Sequence, residues 1–116
     1  MSFEVLVGKK IVKISGDDCE VVAIDSDGVR HRFYAEGDCC SSSWFEHLEH
    51  LDILVGQVVS SVGDMLLPGI DNEDDYNYIQ NYGWTIVCPV GTAEIEMRNR
   101  SNGYYGGYIE YSTSQV

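Results

Sequence analysis

The sequence predicts an α+β domain, mostly antiparallel β, made of two β-meanders with one short helix packed on the sheet. Three observations lead there. Short runs rich in β-branched and aromatic residues recur between Gly- and Asp-bearing turns, as strands do in hairpins. One segment, Ser43 to Leu51, places its apolar residues at helical intervals instead. Leu6-Val7-Gly8 is echoed by Leu54-Val55-Gly56, each opening a set of three strands, which predicts an internal repeat about a pseudo-twofold axis.

Taken in order, Lys9 to Ile14 reads as the first strand and Ser15-Gly16-Asp17-Asp18 as a turn. Glu20 to Asp25 is the second strand. Asp25-Ser26-Asp27-Gly28 is a hairpin turn in which Gly28 takes a positive φ without steric penalty. In the third strand, Val29 to Ala35, alternation puts Val29, His31 and Phe33 on one face and Arg30, Arg32 and Tyr34 on the other. Ser43 followed by Glu46 fits a capping box, and Trp44, Leu48 and Leu51 share one face of the predicted helix. Val58 to Val62 is the fourth strand. Residues 67–82 read as an acidic, Tyr-bearing loop or insertion. Trp84 to Cys88 and Thr92 to Arg98 form a hairpin across Pro89-Val90-Gly91, with Ala93, Ile95 and Met97 inward. A Gly/Tyr/Asn loop, Ser101 to Gly107, leads to the last strand, Tyr108 to Tyr111. The third strand of each set carries an Arg-x-Arg pair, Arg30/Arg32 and Arg98/Arg100, which extends the echo.

Composition narrows the function classes. The chain of 116 residues fits one domain, 1–116, with 44% hydrophobic residues, enough for a core without staples. No apolar run approaches the roughly 20 residues of a membrane helix. The first residues lack the basic start and apolar stretch of a secretion signal, so a cytoplasmic location is expected. There the thiols of Cys19, Cys39, Cys40 and Cys88 stay reduced, and their spacing suits free, mostly buried cysteines. Nineteen acidic residues against seven basic ones give a net charge of −12. Such a surface repels nucleic acid and anionic membranes and steers the chain toward basic protein surfaces.

Few constellations could carry chemistry. Cys39, Cys40, His47 and His50 are the weak candidates for a metal, since zinc takes Cys and His ligands, but adjacent cysteines and this spacing match no zinc finger. His47 near a cysteine lacks the oxyanion donors and orienting group of a Cys/His nucleophile. No catalytic residue and no cofactor is expected. Asp25-Ser26-Asp27-Gly28 lacks the downstream ligands of a calcium loop. The acidic run with Asp71, Glu73, Asp74 and Asp75 presents closely spaced carboxylates, comparable in charge density to a phosphate backbone. Tyr104, Tyr105 and Tyr108 sit in a Tyr/Gly/Asn/Arg segment of the kind binding loops favour, because Tyr gives large rigid contacts at low entropy cost. Convergence of Arg30, Arg32, Arg98 and Arg100 would instead suit an anionic small molecule such as a nucleotide signal.

Gly37-Asp38-Cys39-Cys40 with Trp44 and Glu46 behind it, Leu54-Val55-Gly56, and Ser101-Asn102-Gly103-Tyr104-Tyr105-Gly106-Gly107 together resemble an uncharacterised family of small proteins common in bacteriophages and prophages. The likeness spans most of the chain outside 67–82. It implies a phage-type origin, a bacterial host cell and no catalytic residues to carry over. The expected function is a non-catalytic inhibitor that blocks a host defence protein with a basic, nucleic-acid-binding surface. Asp71, Glu73, Asp74, Asp75, Tyr104, Tyr105 and Tyr108 would make the contact. The alternative is a sponge for an anionic small molecule, held by the four arginines.

Overall fold

A computed structural model describes residues 3–37, 41–65, 67, 69–71, 78–101 and 106–116, with Ile70 and Asp71 described by backbone alone. Among them the regular elements are nine strands and two 3₁₀ turns, with no α-helix. None of the described helical segments is long and apolar enough to cross a membrane. The strands are β1 (Ile11–Gly16), β2 (Glu20–Asp25), β3 (Val29–Gly37), β4 (Ser42–Glu49), β5 (Ser61–Met65), β6 (Ile70–Asp71), β7 (Tyr78–Cys88), β8 (Gly91–Ser101) and β9 (Gly107–Gln115). They form two antiparallel sheets, ordered β1-β2-β3-β9 and β4-β8-β7-β5, with β6 also on β7. The span read as a loop, 67–82, therefore contains β6 and the first residues of β7.

The helix predicted from Ser43 to Leu51 is a strand, β4, ending in a 3₁₀ turn at Leu51–Leu54. The reason is a bulge. Phe45 pairs with Met97 and His47 with the adjacent Glu96, so Glu46 is the extra residue. The bulge makes Phe45 and Leu48 face inward three positions apart instead of two, and Leu51 follows after three more. Inward residues at every third position imitate the helical period, whereas Trp44, assigned to the helical face with Leu48 and Leu51, lies opposite Arg98 and faces out. The Ser43–Glu46 capping box does not form. Glu46 accepts the Trp44 indole N–H at 2.6 Å instead.

The meanders β1-β2-β3 and β5-β7-β8 are matched three-strand units, and each passes its next strand to the other sheet. After β3 the chain crosses to place β4 beside β8; after β8 it crosses to place β9 beside β3. The Leu-Val-Gly echo marks the other seam. Gly8 N donates to Val59 O at 2.9 Å, and Gly56 N donates to Ile11 O at 2.7 Å. Ile11 N donates to Gln57 O at 2.9 Å, and Val59 N to Lys9 O at 3.0 Å. Each bond has its mate under exchange of the two segments. Gly8 and Gly56 both have φ of 82°, a left-handed conformation that a Cβ would strain. Leu6 and Leu54 are fully buried, while Val7 and Val55 are half exposed.

The arginine half of the echo does not hold. Arg30 lies opposite Ile24, close to the β2–β3 turn, whereas Arg98 and Arg100 lie opposite Asn81 and Ile79, far from the β7–β8 turn.

The core lies between the sheets. Val21, Ala23 and Phe33 come from the first sheet, and Phe45, Trp84, Ile86, Ala93, Ile95 and Met97 from the second. Phe3, on the 3₁₀ turn Phe3–Leu6, fills the gap: its ring centre lies 4.4 Å from Phe33 and 5.3 Å from Trp84. The inward alternation predicted for Ala93, Ile95 and Met97 holds, with all three fully buried. Of the described cysteines, Cys88 is buried, as expected of a small apolar side chain, but Cys19 is exposed at the β1–β2 turn.

Candidate protein-binding end

Both crossovers lie at one end of the sandwich, and a buried polar cluster ties them together. Gly37, the last residue of β3, pairs with Gly107, the first of β9. Ser42 opens β4 opposite Arg100, and Tyr78 opens β7 opposite Ser101. Between them sits Asn99, fully buried, whose Nδ2 donates to Ser43 Oγ at 2.9 Å and Ser41 Oγ at 3.2 Å. Ser43 Oγ donates in turn to Glu36 O at 2.7 Å. Tyr82 OH donates to Gln80 Oε1 at 2.6 Å and accepts the Gly107 N–H at 3.2 Å. The serine run thus seals a strand junction and does not cap a helix.

This packing leaves no room for a side chain at the Gly37–Gly107 pair. A Cβ on Gly37 would stand 2.5 Å from Ser41 Oγ and 2.9 Å from Asn99 Nδ2. Gly37→Ala is expected to destabilise the protein by about 1–3 kcal/mol through overpacking. The readout is a lower urea midpoint with an unchanged slope; an unchanged midpoint would mean that the end is loosely packed.

The segments expected to bind a partner adjoin this end. Asp71 pairs with Tyr78, which pairs with Ser101, so the flanks of 72–77 and of 102–105 meet on β7 and β8. Gly37 and Ser41, which flank 38–40, lie against the same cluster. Glu73, Asp74, Asp75, Tyr104, Tyr105, Cys39 and Cys40 lie outside the described residues, as does the Asp71 side chain. Tyr108 is described: it lies opposite Glu36 and is 47% exposed, free to make a contact.

The four arginines do not converge. Arg30 and Arg32 alternate with the buried His31 and Phe33, so they face out from the first sheet. Arg98 and Arg100 alternate with the buried Met97 and Asn99 and face out from the second. Arg98 is engaged by Glu46 at 3.4 Å and Glu96 at 3.3 Å, and Arg100 stacks over Trp44, 5.7 Å from the ring centre. His47 stands five residues beyond Ser42 along an extended strand, about 16 Å at the usual rise. Its described neighbour is Glu96, with Nε2 3.7 Å from Oε2.

Alternation puts His31 on the same face as Phe33 but gives it no role. It is the centre of a buried chain: Asp25 Oδ2 lies 2.8 Å from His31 Nε2, and Tyr111 OH lies 2.7 Å from Nδ1. Asp25 is 2% exposed and His31 4%. Asp25 Oδ1 also accepts the Asp27 and Val29 N–H groups at 2.9 and 3.1 Å, which closes the β2–β3 turn. The His31 hydrogen bond, helped by those two N–H groups, holds the Asp25 carboxyl below its ordinary range against the pull of burial. Burial above all, with the Asp25 charge behind it, pushes the Tyr111 phenol up. The chain of hydrogen bonds clamps β2, β3 and β9 together. At the β1–β2 turn the Asp18 carboxylate foremost pushes the exposed Cys19 thiol up.

The domain of unknown function DUF7448 matches residues 4–111. An uncharacterized protein of Acanthamoeba polyphaga mimivirus is 39% identical over 83 residues, covering 66% of this chain and 63% of that protein. The match thus spans less than two thirds of the relative. No solved structure matches the chain significantly. With its family model running from the first 3₁₀ turn into the last strand, the chain belongs to the DUF7448 family.

Proposed function

We propose that this protein is a small acidic binding protein of viral, phage-type origin that blocks a host protein without catalysis, acting in the host cytoplasm. The target is a protein with a basic surface, of the kind that binds nucleic acid in host defence. The observation that carries this reading is the meeting, at one end of a chain of net charge −12, of the strands that flank the acidic run and the tyrosine segment. Carboxylates at Asp71, Glu73, Asp74 and Asp75 imitate a phosphate backbone, and Tyr104, Tyr105 and Tyr108 supply rigid contact area. The mimivirus relative supports a viral origin.

Electrostatic steering raises association rates 10-fold or more and fades as salt screens it. Affinity capture from host lysate should therefore yield a basic protein that is released by moderate salt. Asp71→Asn with Asp74→Asn and Asp75→Asn should slow its association about 10-fold at low salt. A partner held equally by this variant and insensitive to salt would sink the reading.

A further inference from the structure

The outer face of the second sheet carries a second cluster, remote from the crossovers. His47, Glu49, His50, Met65, Glu94 and Glu96 line an open groove of about 370 Å³. The bulge at Glu46 creates it, because it turns His47 and Glu49 outward on either side of the inward Leu48. His47 then lies opposite Glu96, and Glu49 lies directly opposite Glu94. Like charges directly opposite on paired strands repel and destabilise a sheet. A chain already at −12 raises that repulsion and, with it, the local attraction for cations.

Glu96 is divided between two neighbours. Its Oε1 is held by Arg98 Nε at 3.3 Å, and its Oε2 faces His47 Nε2 at 3.7 Å. That second distance is too long for a hydrogen bond. Two donors on one zinc ion, with bonds of about 2.0–2.1 Å at a tetrahedral angle, stand roughly 3.4 Å apart. The His47–Glu96 separation is close to this value. Arg98 fixes the carboxylate in the orientation that leaves Oε2 free, the part that outer-sphere partners play around metal ligands.

We propose that this groove binds one divalent transition-metal ion through His47, Glu96 and Glu94, with Glu49 and His50 completing the site. No three of the groove's donor atoms already stand within 4.8 Å of one another, so the ion gathers Glu94, Glu49 and His50 by rotation of exposed side chains. Imidazole with carboxylate selects zinc, nickel or manganese over magnesium and calcium, which prefer oxygen alone. The ion neutralises the Glu49–Glu94 pair and ties β4 to β8. A different acidic cluster, Asp17, Asp18 and Cys19, is fully exposed, and Asp17 already accepts the Cys19 and Glu20 N–H groups, so it offers no comparable site.

The test is calorimetric titration of the purified full chain with zinc chloride, manganese chloride and magnesium chloride, with melting temperature as a second readout. One zinc per chain, a melting temperature that rises with zinc, and a preference over magnesium of at least 10-fold are expected. Glu94→Gln and His47→Ala should each weaken zinc at least 10-fold, and Arg98→Gln should weaken it about 10-fold through Glu96. Glu94→Gln removes the like-charge pair, so it folds at least as well as the parent and keeps the test decisive. Cys39→Ser and Asp17→Asn should leave the affinity unchanged. Zinc binding that survives Glu94→Gln and His47→Ala, or that is lost with Cys39→Ser, would overturn the proposal, as would equal affinity for magnesium.

Discussion

Asp25→Ala is expected to lower the unfolding free energy by about 3–5 kcal/mol, because three hydrogen bonds to one buried carboxylate are lost together. The loss is large because this carboxylate has three separate tasks. It accepts two backbone N–H groups that close the β2–β3 turn, and it accepts the His31 Nε2–H in a site shielded from water. Removing it orphans all three donors at once. His31→Ala should approach the same loss, since it leaves the Asp25 charge buried without its partner and opens a gap beside Phe33 and Tyr111. Tyr111→Phe removes one hydrogen bond and keeps the ring, so about 1 kcal/mol is expected. Equilibrium urea unfolding checks the order of the three. Acid gives an independent check. Asp25 is held ionised in the folded state beyond what the unfolded chain allows, so its contribution is fully present above about pH 4, the ordinary Asp range. It is lost as the pH falls below that range. The parent should lose stability more steeply there than Asp25→Ala. Equal midpoints for parent and variant, or parallel acid profiles, would show that the clamp contributes nothing.

The clamp also shows where sequence reading stops. Alternation puts His31 on the face of Phe33, and both are buried. Its partner Tyr111 is 80 positions away and reaches it only because β9 crosses to the first sheet. Nothing local announces an exchange of strands between two meanders. Local signals did well where the local chain decides the outcome. The Asp25–Gly28 turn, the Ala93/Ile95/Met97 face and the paired Leu-Val-Gly segments all depend on neighbours within a few residues. Leu6 and Leu54 anchor equivalent turns, and their flanking hydrogen bonds match one for one. The same locality misled at β4, where one bulge residue converted a period of two into an apparent period of three. It misled again at the arginines. Arg30/Arg32 and Arg98/Arg100 look alike as text, yet they sit at different distances from their turns and on different sheets. The candidate binding end was legible as composition, in the acidic run and the tyrosine segment. Its assembly was not, because Asn99, Ser43 and Tyr82 come from three strands, and Ser41 from the residue before β4, joined only in the folded sandwich.

Phe3→Ala should have a comparable effect, a loss of about 3–5 kcal/mol, although Phe3 belongs to no strand. The sheets meet across this ring. It is fully buried, tilted against Phe33 of the first sheet and edge-on to Trp84 of the second. Truncation removes the apolar contact area and leaves a void that two hydrogen-bonded sheets cannot close without breaking register. The pseudo-symmetric position is Leu51, which is only partly buried, so Leu51→Ala should cost clearly less than Phe3→Ala despite the matched backbone. Phe3→Leu refills most of the volume and should recover all but about 1.5 kcal/mol. Urea midpoints give the ranking, and tryptophan emission gives a local readout because Trp84 borders the void. Phe3→Ala should shift that emission to the red in the folded state as water gains access to the indole. If Leu51→Ala and Phe3→Ala prove equally damaging, the two turns share the core evenly and Phe3 is not the residue that joins the sheets.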